Sequence, residues 1–348
     1  MTIKVLVVDD SALIRGVLTR MLVNEGDIEV VGTALDPIDA RAKVKTLNPD
    51  VITLDIEMPN MNGLQFLDRL MRLRPTPVVM VSTLTTKGAS ETLLALELGA
   101  VDFVAKPGVG LDGGLETFGA GLREKIRAAA TSDVRGRAQR VDAPKVAVRT
   151  AAGPAGALIA IGASTGGVEA VRAVLSALPV DCPPIAIAQH MPAGFTSRFA
   201  ARLDSLCAIN VVEAEDGMVV QTGNAYVARG DYHLRIERRS GQLKCRLDQK
   251  DQESGHRPSV DVLFGSVAQT VGAAGIGIIL TGMGRDGARG LGQMRDAGAH
   301  TIGQSRASAL VYGMPKVAFE EGAVVEQAPL DEIALRLANA LGRARSAP

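Results

Sequence analysis

The chain has 348 residues, and its 38 Lys plus Arg balance 38 Asp plus Glu, so it lacks the basic footprint of a nucleic-acid binder. Aromatic residues make up only 3% and Trp is absent, which argues against base stacking as a main activity. At roughly 100–200 residues per domain the length predicts two domains, each with ample core.

No apolar run approaches the ~20 residues that span a bilayer; the best is GIGIIL. Asp9 and Asp10 come too early for a signal peptide. The three cysteines, Cys182, Cys207 and Cys245, are odd in number and share no metal-ligand spacing. They read as reduced thiols of a cytoplasmic protein.

The first part alternates strand and helix. IKVLVV is an apolar strand, and a helical pattern runs from Ser11 to Asn24. IEVVGTA, VITLD, PVVMVS and DFVAK are further strands, separated by helices over Pro37–Leu47, GLQFLDRLMRL and ASETLLALELG. A last helix lies near Leu115–Ala130. Such strands, rich in Val, Ile and Leu and separated by helices, predict a parallel sheet with both faces covered. Residues 131–155 hold Ala, Arg, Pro and Gly without a sustained apolar period and read as a solvated connector.

A second α/β series starts at Leu158. It comprises strand ALIAIG, helix GGVEAVRAVLSAL, strand PIAIAQH and helical GFTSRFAARLDSL. AYVARGDYHLRIERRSGQLKCRLD alternates around Gly-centred turns and suggests antiparallel hairpins. Helix VDVLFGSVAQTVG, strand GIGIILTG, helix GARGLGQMRDAG, short strand HTIGQS and amphipathic DEIALRLANALGRA complete it. The expected domains are 1–120 and 156–343, joined by a linker over 121–155. The second is a larger α/β domain with a mostly parallel sheet and a β-hairpin region.

Two constellations carry chemistry. In the first, Asp9 and Asp10 end one strand, Asp55 another, Ser82 a third and Lys106 a fourth. Ligand sites in open α/β sheets lie beyond the carboxyl ends of the strands, so these residues gather at one edge. Three carboxylates repel unless a cation joins them, and an all-oxygen set suits Mg²⁺. Lys106 adds a mobile positive charge. Such a site can bind a phosphoryl group and accept it on Asp55. Taken singly, each acid has a plainer reading as a helix cap; Ser11 after Asp10 fits an N-cap.

The second is LIAIGASTGGV, residues 158–168. Gly162-Ala163-Ser164-Thr165-Gly166 fits G-x-S-x-G, which presents a serine at a strand-to-helix turn. A glycine-rich turn before a helix also suits a phosphate, and the motif alone leaves both open. Val168 and Glu169, where a phosphate loop would carry Lys, favour the serine. A nucleophilic serine needs a base and an orienting acid. Of four histidines, His190 ends the strand PIAIAQ at the same edge. His300 starts its strand at the opposite edge, His233 sits in a hairpin, and His256 lies in the polar loop ESGHRPS, where a histidine is usually just solvated. Asp286 follows GIGIIL through TGMGRDG, again at that edge. The order Ser–His–Asp is not the Ser–Asp–His order of α/β-hydrolases.

VVDD, LDIEMPNMNG, VMVS and VAKP resemble the receiver domain of two-component response regulators. The resemblance implies a flavodoxin-like, doubly wound parallel sheet for this α/β domain, with Asp55 as phosphoacceptor. It also implies Mg²⁺ on Asp9, Asp10, Asp55 and the Glu57 carbonyl, Ser82 and Lys106 against the phosphate, and Phe103 as switch aromatic. IGASTGG, QHMP, HRPSVDVLF, TGMGRDGARG and VYGMP resemble the catalytic domain of the chemotaxis protein-glutamate methylesterases, the CheB family. That resemblance implies Ser164 as nucleophile, His190 as base then acid, Asp286 as orienting acid and the Met283 N–H as oxyanion donor.

It further implies a cytoplasmic, monomeric enzyme that demethylates methyl-accepting chemotaxis receptors and deamidates receptor glutamines. A chemotaxis histidine kinase would phosphorylate Asp55, with the unphosphorylated receiver covering the active site. No cofactor is implied at the esterase site. Two departures from the family pattern leave the triad untouched: Ser305 and Arg306 where the family usually has an acidic pair, which bears on receptor preference, and Arg229 where Pro is usual. The rivals are a phosphorylation-dependent adaptor without catalysis and a DNA-binding regulator, which would need a basic helix-turn-helix.

Overall fold

Five strands build the first sheet: β1 (Ile3–Val8), β2 (Ile28–Ala34), β3 (Val51–Asp55), β4 (Val78–Ser82) and β5 (Asp102–Ala105). All five pair in parallel, in the order β2-β1-β3-β4-β5. Every residue of β3 and β4 is buried, as a sheet covered on both faces requires. The covering helices are α1 (Ala12–Leu22), α2 (Pro37–Leu47), α3 (Gly63–Leu73), α4 (Thr86–Glu97) and α5 (Gly114–Ala130).

Local chemistry starts these helices. The Ser11 hydroxyl accepts from Ile14 N at 3.4 Å, so the cap is Ser11 and Asp10 is left for other work. Asp36 caps α2, with Pro37 at its first position, and Asn62 caps α3. The strand order reverses at β1, which opens a crevice beyond β1 and β3.

The computed structural model describes residues 2–58, 62–82, 85–106, 114–134 and 153–346. The chain divides into two compact units, Met1–Asp142 and Ala143–Pro348. Most of the stretch read as a connector, 135–152, lies outside the described residues, as does Pro107 after Lys106.

The second unit is built on seven parallel strands. They are β6 (Leu158–Ala163), β7 (Ile185–Gln189), β8 (Asn210–Glu213), β9 (Asn224–Val227), β12 (Gly275–Ile279), β13 (His300–Gln304) and β14 (Glu326–Ala328), ordered β14-β13-β12-β6-β7-β9-β8. A separate antiparallel hairpin joins β10 (His233–Arg239) to β11 (Gln242–Asp248). The helices are α6 (Gly167–Leu175), α7 (Thr196–Asp204), α8 (Val260–Thr270), α9 (Ala288–Asp296), α10 (Met314–Glu320) and α11 (Leu330–Ser346). Phe264, Leu263 and Val267 of α8 and Leu291 and Met294 of α9 join one core with β6 and β7.

The mostly parallel α/β architecture matches expectation. The hairpin reading of residues 225–248 holds only for β10 and β11. β9 runs parallel between β7 and β8, and its Ala225, Tyr226 and Val227 are all buried, as an interior strand requires. β8, α10 and β14 have four, seven and three residues, too short for periodicity to reveal them. No helix among the described residues is long and apolar enough to cross a membrane.

Candidate active site

The second sheet also reverses its order, between β6 and β12. Ser164 follows β6, His190 follows the neighbouring β7, and Asp286 lies on the loop after β12. All three sit at the carboxyl edge, where a switch point places ligands. Ser164 N donates to Thr281 O at 3.0 Å, and His190 N donates to Ala163 O at 3.1 Å, so the loops that carry the three are stitched together by backbone.

The serine turn is closed by Gly167 N donating to Ser164 O at 2.7 Å. Gly166 has φ +78, the left-handed region in which glycine avoids a Cβ clash. Ser164 itself has no such strain, so the motif match does not reproduce the strained elbow of α/β-hydrolases. Gly282 allows a close approach of another kind: a Cβ there would lie 2.8 Å from Ser164 Cβ.

His190 Nε2 lies 2.8 Å from Asp286 Oδ2. The carboxylate also accepts from Ser259 Oγ at 2.8 Å, Val260 N at 2.7 Å and Asp261 N at 3.0 Å. Asp286 thus caps α8 while it holds the imidazole. It is 1% exposed. Burial pushes its carboxyl up, but the His190 bond and the amides of Asp261 and Val260 outweigh this and hold it below the ordinary range. Asp261 answers reciprocally. Its Oδ1 accepts from Gly287 N and Gly290 N, 3.0 and 2.7 Å, at the start of α9, the helix just after Asp286. Burial holds the Asp261 carboxyl above its usual range, against the Gly290 amide.

With Nε2 committed to the carboxylate, Nε2 carries the proton and Nδ1 is the free base atom. Nδ1 is buried and has no hydrogen-bond partner. The Gly282 carbonyl accepts from Gly313 N at 3.1 Å and Met314 N at 2.8 Å. In a trans peptide the Met283 N–H points the opposite way, and among the described residues no hydrogen bond engages it.

Several residues that bind this site together were not singled out from the sequence. Gln189 Nε2 donates to the carbonyls of Ser164 at 2.9 Å and His190 at 3.2 Å. Thr281 Oγ1 donates to Thr165 O, and Gln304 Oε1 accepts from Thr281 N. His256 was expected to be solvated. Instead its ring stacks on His190, with centroids 3.7 Å apart and planes 16° apart. His233 lies behind the site: its Nδ1 accepts from Ser259 N at 3.3 Å and its Nε2 lies 3.0 Å from Asp251 O, while His300 lies elsewhere, 3.3 Å from Glu326. Arg229 is exposed, its guanidinium 5.1 Å from the Tyr232 ring centre.

In the first unit, ligand oxygens of Asp9, Asp10 and Asp55 lie within 4.8 Å of one another. Lys106 Nζ bridges two of them, 3.0 Å from Asp9 Oδ2 and 2.8 Å from Asp55 Oδ2. Burial raises the Asp55 carboxyl above its usual range, although Lys106 opposes it and Asp9 adds to it. One ammonium does not balance three clustered carboxylates, so the donor set fits a hard divalent cation. Ser82 and Phe103 are buried, and Glu57 is exposed beyond β3. Lys125 Nζ sits 5.4 Å from the Phe103 ring centre.

A 2-1-3-4-5 parallel sheet with an acid pocket, in one chain with a second parallel sheet that carries Ser, His and Asp at its switch point, defines a response regulator with a hydrolase-type output. Residues 5–110 match the response regulator receiver domain and residues 159–337 match CheB methylesterase. A protein-glutamate methylesterase/protein-glutamine glutaminase of Chromohalobacter salexigens is 52% identical over 347 residues, 99% of this chain and 98% of that protein. One from Caulobacter vibrioides is 54% identical over 332 residues, 95% of this chain and 96% of that protein. The CheB methylesterase catalytic domain of Thermotoga maritima matches at a TM-score of 0.52 and 38% identity, covering 53% of this chain and 98% of that domain. The chain belongs to the CheB methylesterase family.

Proposed function

We propose that this chain is a protein-glutamate methylesterase, switched on by phosphorylation of its receiver, that demethylates methyl-accepting chemotaxis receptors in the cytoplasm. The same acyl chemistry serves deamidation of receptor glutamines, with ammonia as leaving group. The observation that carries the reading is His190, held at Nε2 by a buried carboxylate and left with Nδ1 as an unpaired base beside the serine turn.

In this reading Ser164 Oγ attacks the γ-carbonyl carbon of a glutamyl methyl ester, and its proton passes to His190 Nδ1. The oxygen anion that forms is met by the Met283 N–H. Collapse of the intermediate breaks the bond to methoxide, which leaves as methanol with the proton from His190. Water then attacks the acyl-enzyme and gives its proton to His190. The second intermediate expels Ser164 Oγ, which takes that proton back from His190, and the receptor acid loses its own proton to solvent as the carboxylate. Asp286 stays ionised, offsets the imidazolium and fixes the tautomer.

Asp9, Asp10, Asp55 and the Glu57 carbonyl would hold Mg²⁺, which would offset phosphoryl charge when bound. Asp55 takes the phosphoryl group from a chemotaxis histidine kinase. Ser82 and Lys106 face the added charge, and Phe103 responds to it. Free Mg²⁺ at 100 times its dissociation constant should stabilise the receiver by about 2.7 kcal/mol. The check is thermal unfolding with and without Mg²⁺, where Asp55→Asn should lose most of the shift.

The test of the function is methanol release from methylated receptor cytoplasmic fragments. The wild-type chain should release methanol, and a small-molecule phosphodonor with Mg²⁺ should speed this only when Asp55 is present. A chain that takes up the phosphoryl group but releases no methanol from any methylated fragment would be an adaptor instead.

A further inference from the structure

The bond to Asp286 fixes one edge of the His190 ring but not its plane. A ring held at a single nitrogen can rock about that bond, and rocking swings Nδ1 out of line with Ser164. A contact on the ring face opposes this directly. We propose that His256 is that contact: a positioning residue whose stacked imidazole sets the plane of His190 for catalysis. The proposal rests on the Ser164–His190–Asp286 reading.

The stack is parallel and close, with centroids 3.7 Å apart and planes inclined by 16°. The loop beneath it is built to hold His256 still. Glu253 N donates to His256 O at 3.2 Å, and His256 N donates to Glu253 O at 3.0 Å. Between them Ser254 and Gly255 have φ of +54 and +80, the double left-handed pattern of a tight hairpin turn. A non-glycine residue at positive φ costs free energy, so the turn persists because its surroundings enforce it.

Both ends of the loop are tied down. Glu253 accepts from Arg289 of α9 at 3.0 Å. Arg257 Nη1 donates to the carbonyls of Gln249 at 3.1 Å and Lys250 at 2.9 Å. Ser259 and Asp261, a few residues on, are the groups that grip the Asp286 loop. One segment thus orders both the acid at the edge of the imidazole and the ring on its face.

The stack also suits the transition state. When His190 takes the serine proton its ring must stay in line with Ser164, and a face-to-face neighbour holds that plane through the transfer. His256 acts through the His190 ring on which it stacks.

The experiment compares kcat and KM for methanol release in the full-length chain, activated with phosphodonor and Mg²⁺. Ser164→Ala, His256→Ala and His256→Phe are set beside wild type, and unfolding midpoints are measured for all. His256→Ala should lower kcat about 10–100-fold, the scale of a small misplacement of a catalytic group, with KM within about twofold. His256→Phe keeps a flat ring on His190 and should recover to within about threefold of wild type. Wild-type kcat in His256→Ala overturns the proposal. So does a His256→Phe variant that folds like wild type yet is as slow as the alanine variant. If Ser164→Ala itself still releases methanol at the wild-type rate, the triad reading fails instead.

Discussion

Ser164→Ala should lower methanol release by a factor on the order of 10⁵–10⁶, the loss seen when a serine nucleophile is removed from a working triad. Its unfolding midpoint should stay close to wild type. The reason is in the bonding. The turn is held by Ser164 N to Thr281 O, by Gly167 N to Ser164 O, and by Gln189 Nε2 to Ser164 O. All three use the serine backbone and survive truncation of the side chain. Among the described residues no hydrogen bond engages Ser164 Oγ, so its loss should change stability by no more than about 0.5 kcal/mol. Binding to a methylated receptor fragment should also persist, because the acyl acceptor is removed and the surface is not. This combination separates the enzyme from the adaptor. Retention of more than about one hundredth of wild-type release would mean that another nucleophile does the work.

The parts of this site that can be read from the sequence are those that depend on a single rule. Strand ends of a parallel sheet face one way, so Ser164, His190 and Asp286 share an edge once GASTGG, AIAQH and the run before TGMGRDG are placed. Asp9, Asp55 and Lys106 follow from the same rule in the first sheet. His256 escapes it because no strand carries it to the edge. Its position depends on the two-residue turn at Ser254-Gly255 and on an ion pair to Arg289, contacts 36 residues apart in sequence between Glu253 and Arg289. The Ser-Gly pair is a turn signal, but a turn does not say what its neighbour will touch. Ser259 and Asp261 were hidden in another way. Both look like ordinary helix-start residues, and Ser259 does cap α8. That they also bind the Asp286 loop is a property of packing. β9 was misread because a buried interior strand and an edge hairpin both tolerate Ala-Tyr-Val, and only its neighbours β7 and β8 decide.

Asp286→Asn should reduce kcat by about 10⁴ and destabilise the second unit by about 1–3 kcal/mol. Both effects come from one count. The carboxylate accepts from four donors: His190 Nε2, Ser259 Oγ, Val260 N and Asp261 N. An amide offers one oxygen. Placed at Oδ1 it can keep Ser259 and Asp261, but its NH₂ then faces the Val260 N–H, donor against donor, at the start of α8. It also faces His190. To accept from that NH₂, Nε2 must give up its proton, and the proton moves to Nδ1. His190 is then in the wrong tautomer, with no lone pair for the serine proton. The stability loss should depend on pH in a stated direction. The Asp286 carboxyl is held below its ordinary range, chiefly by His190 against the cost of burial. A carboxylate with a lowered folded-state pKa adds stability that is fully present above its unfolded value and is lost as pH falls through the folded one. Urea unfolding should therefore show the full gap between wild type and Asp286→Asn near neutral pH, and a narrowing gap below about pH 4. An equal gap at both pH values would mean that the ionised carboxylate contributes nothing beyond its shape.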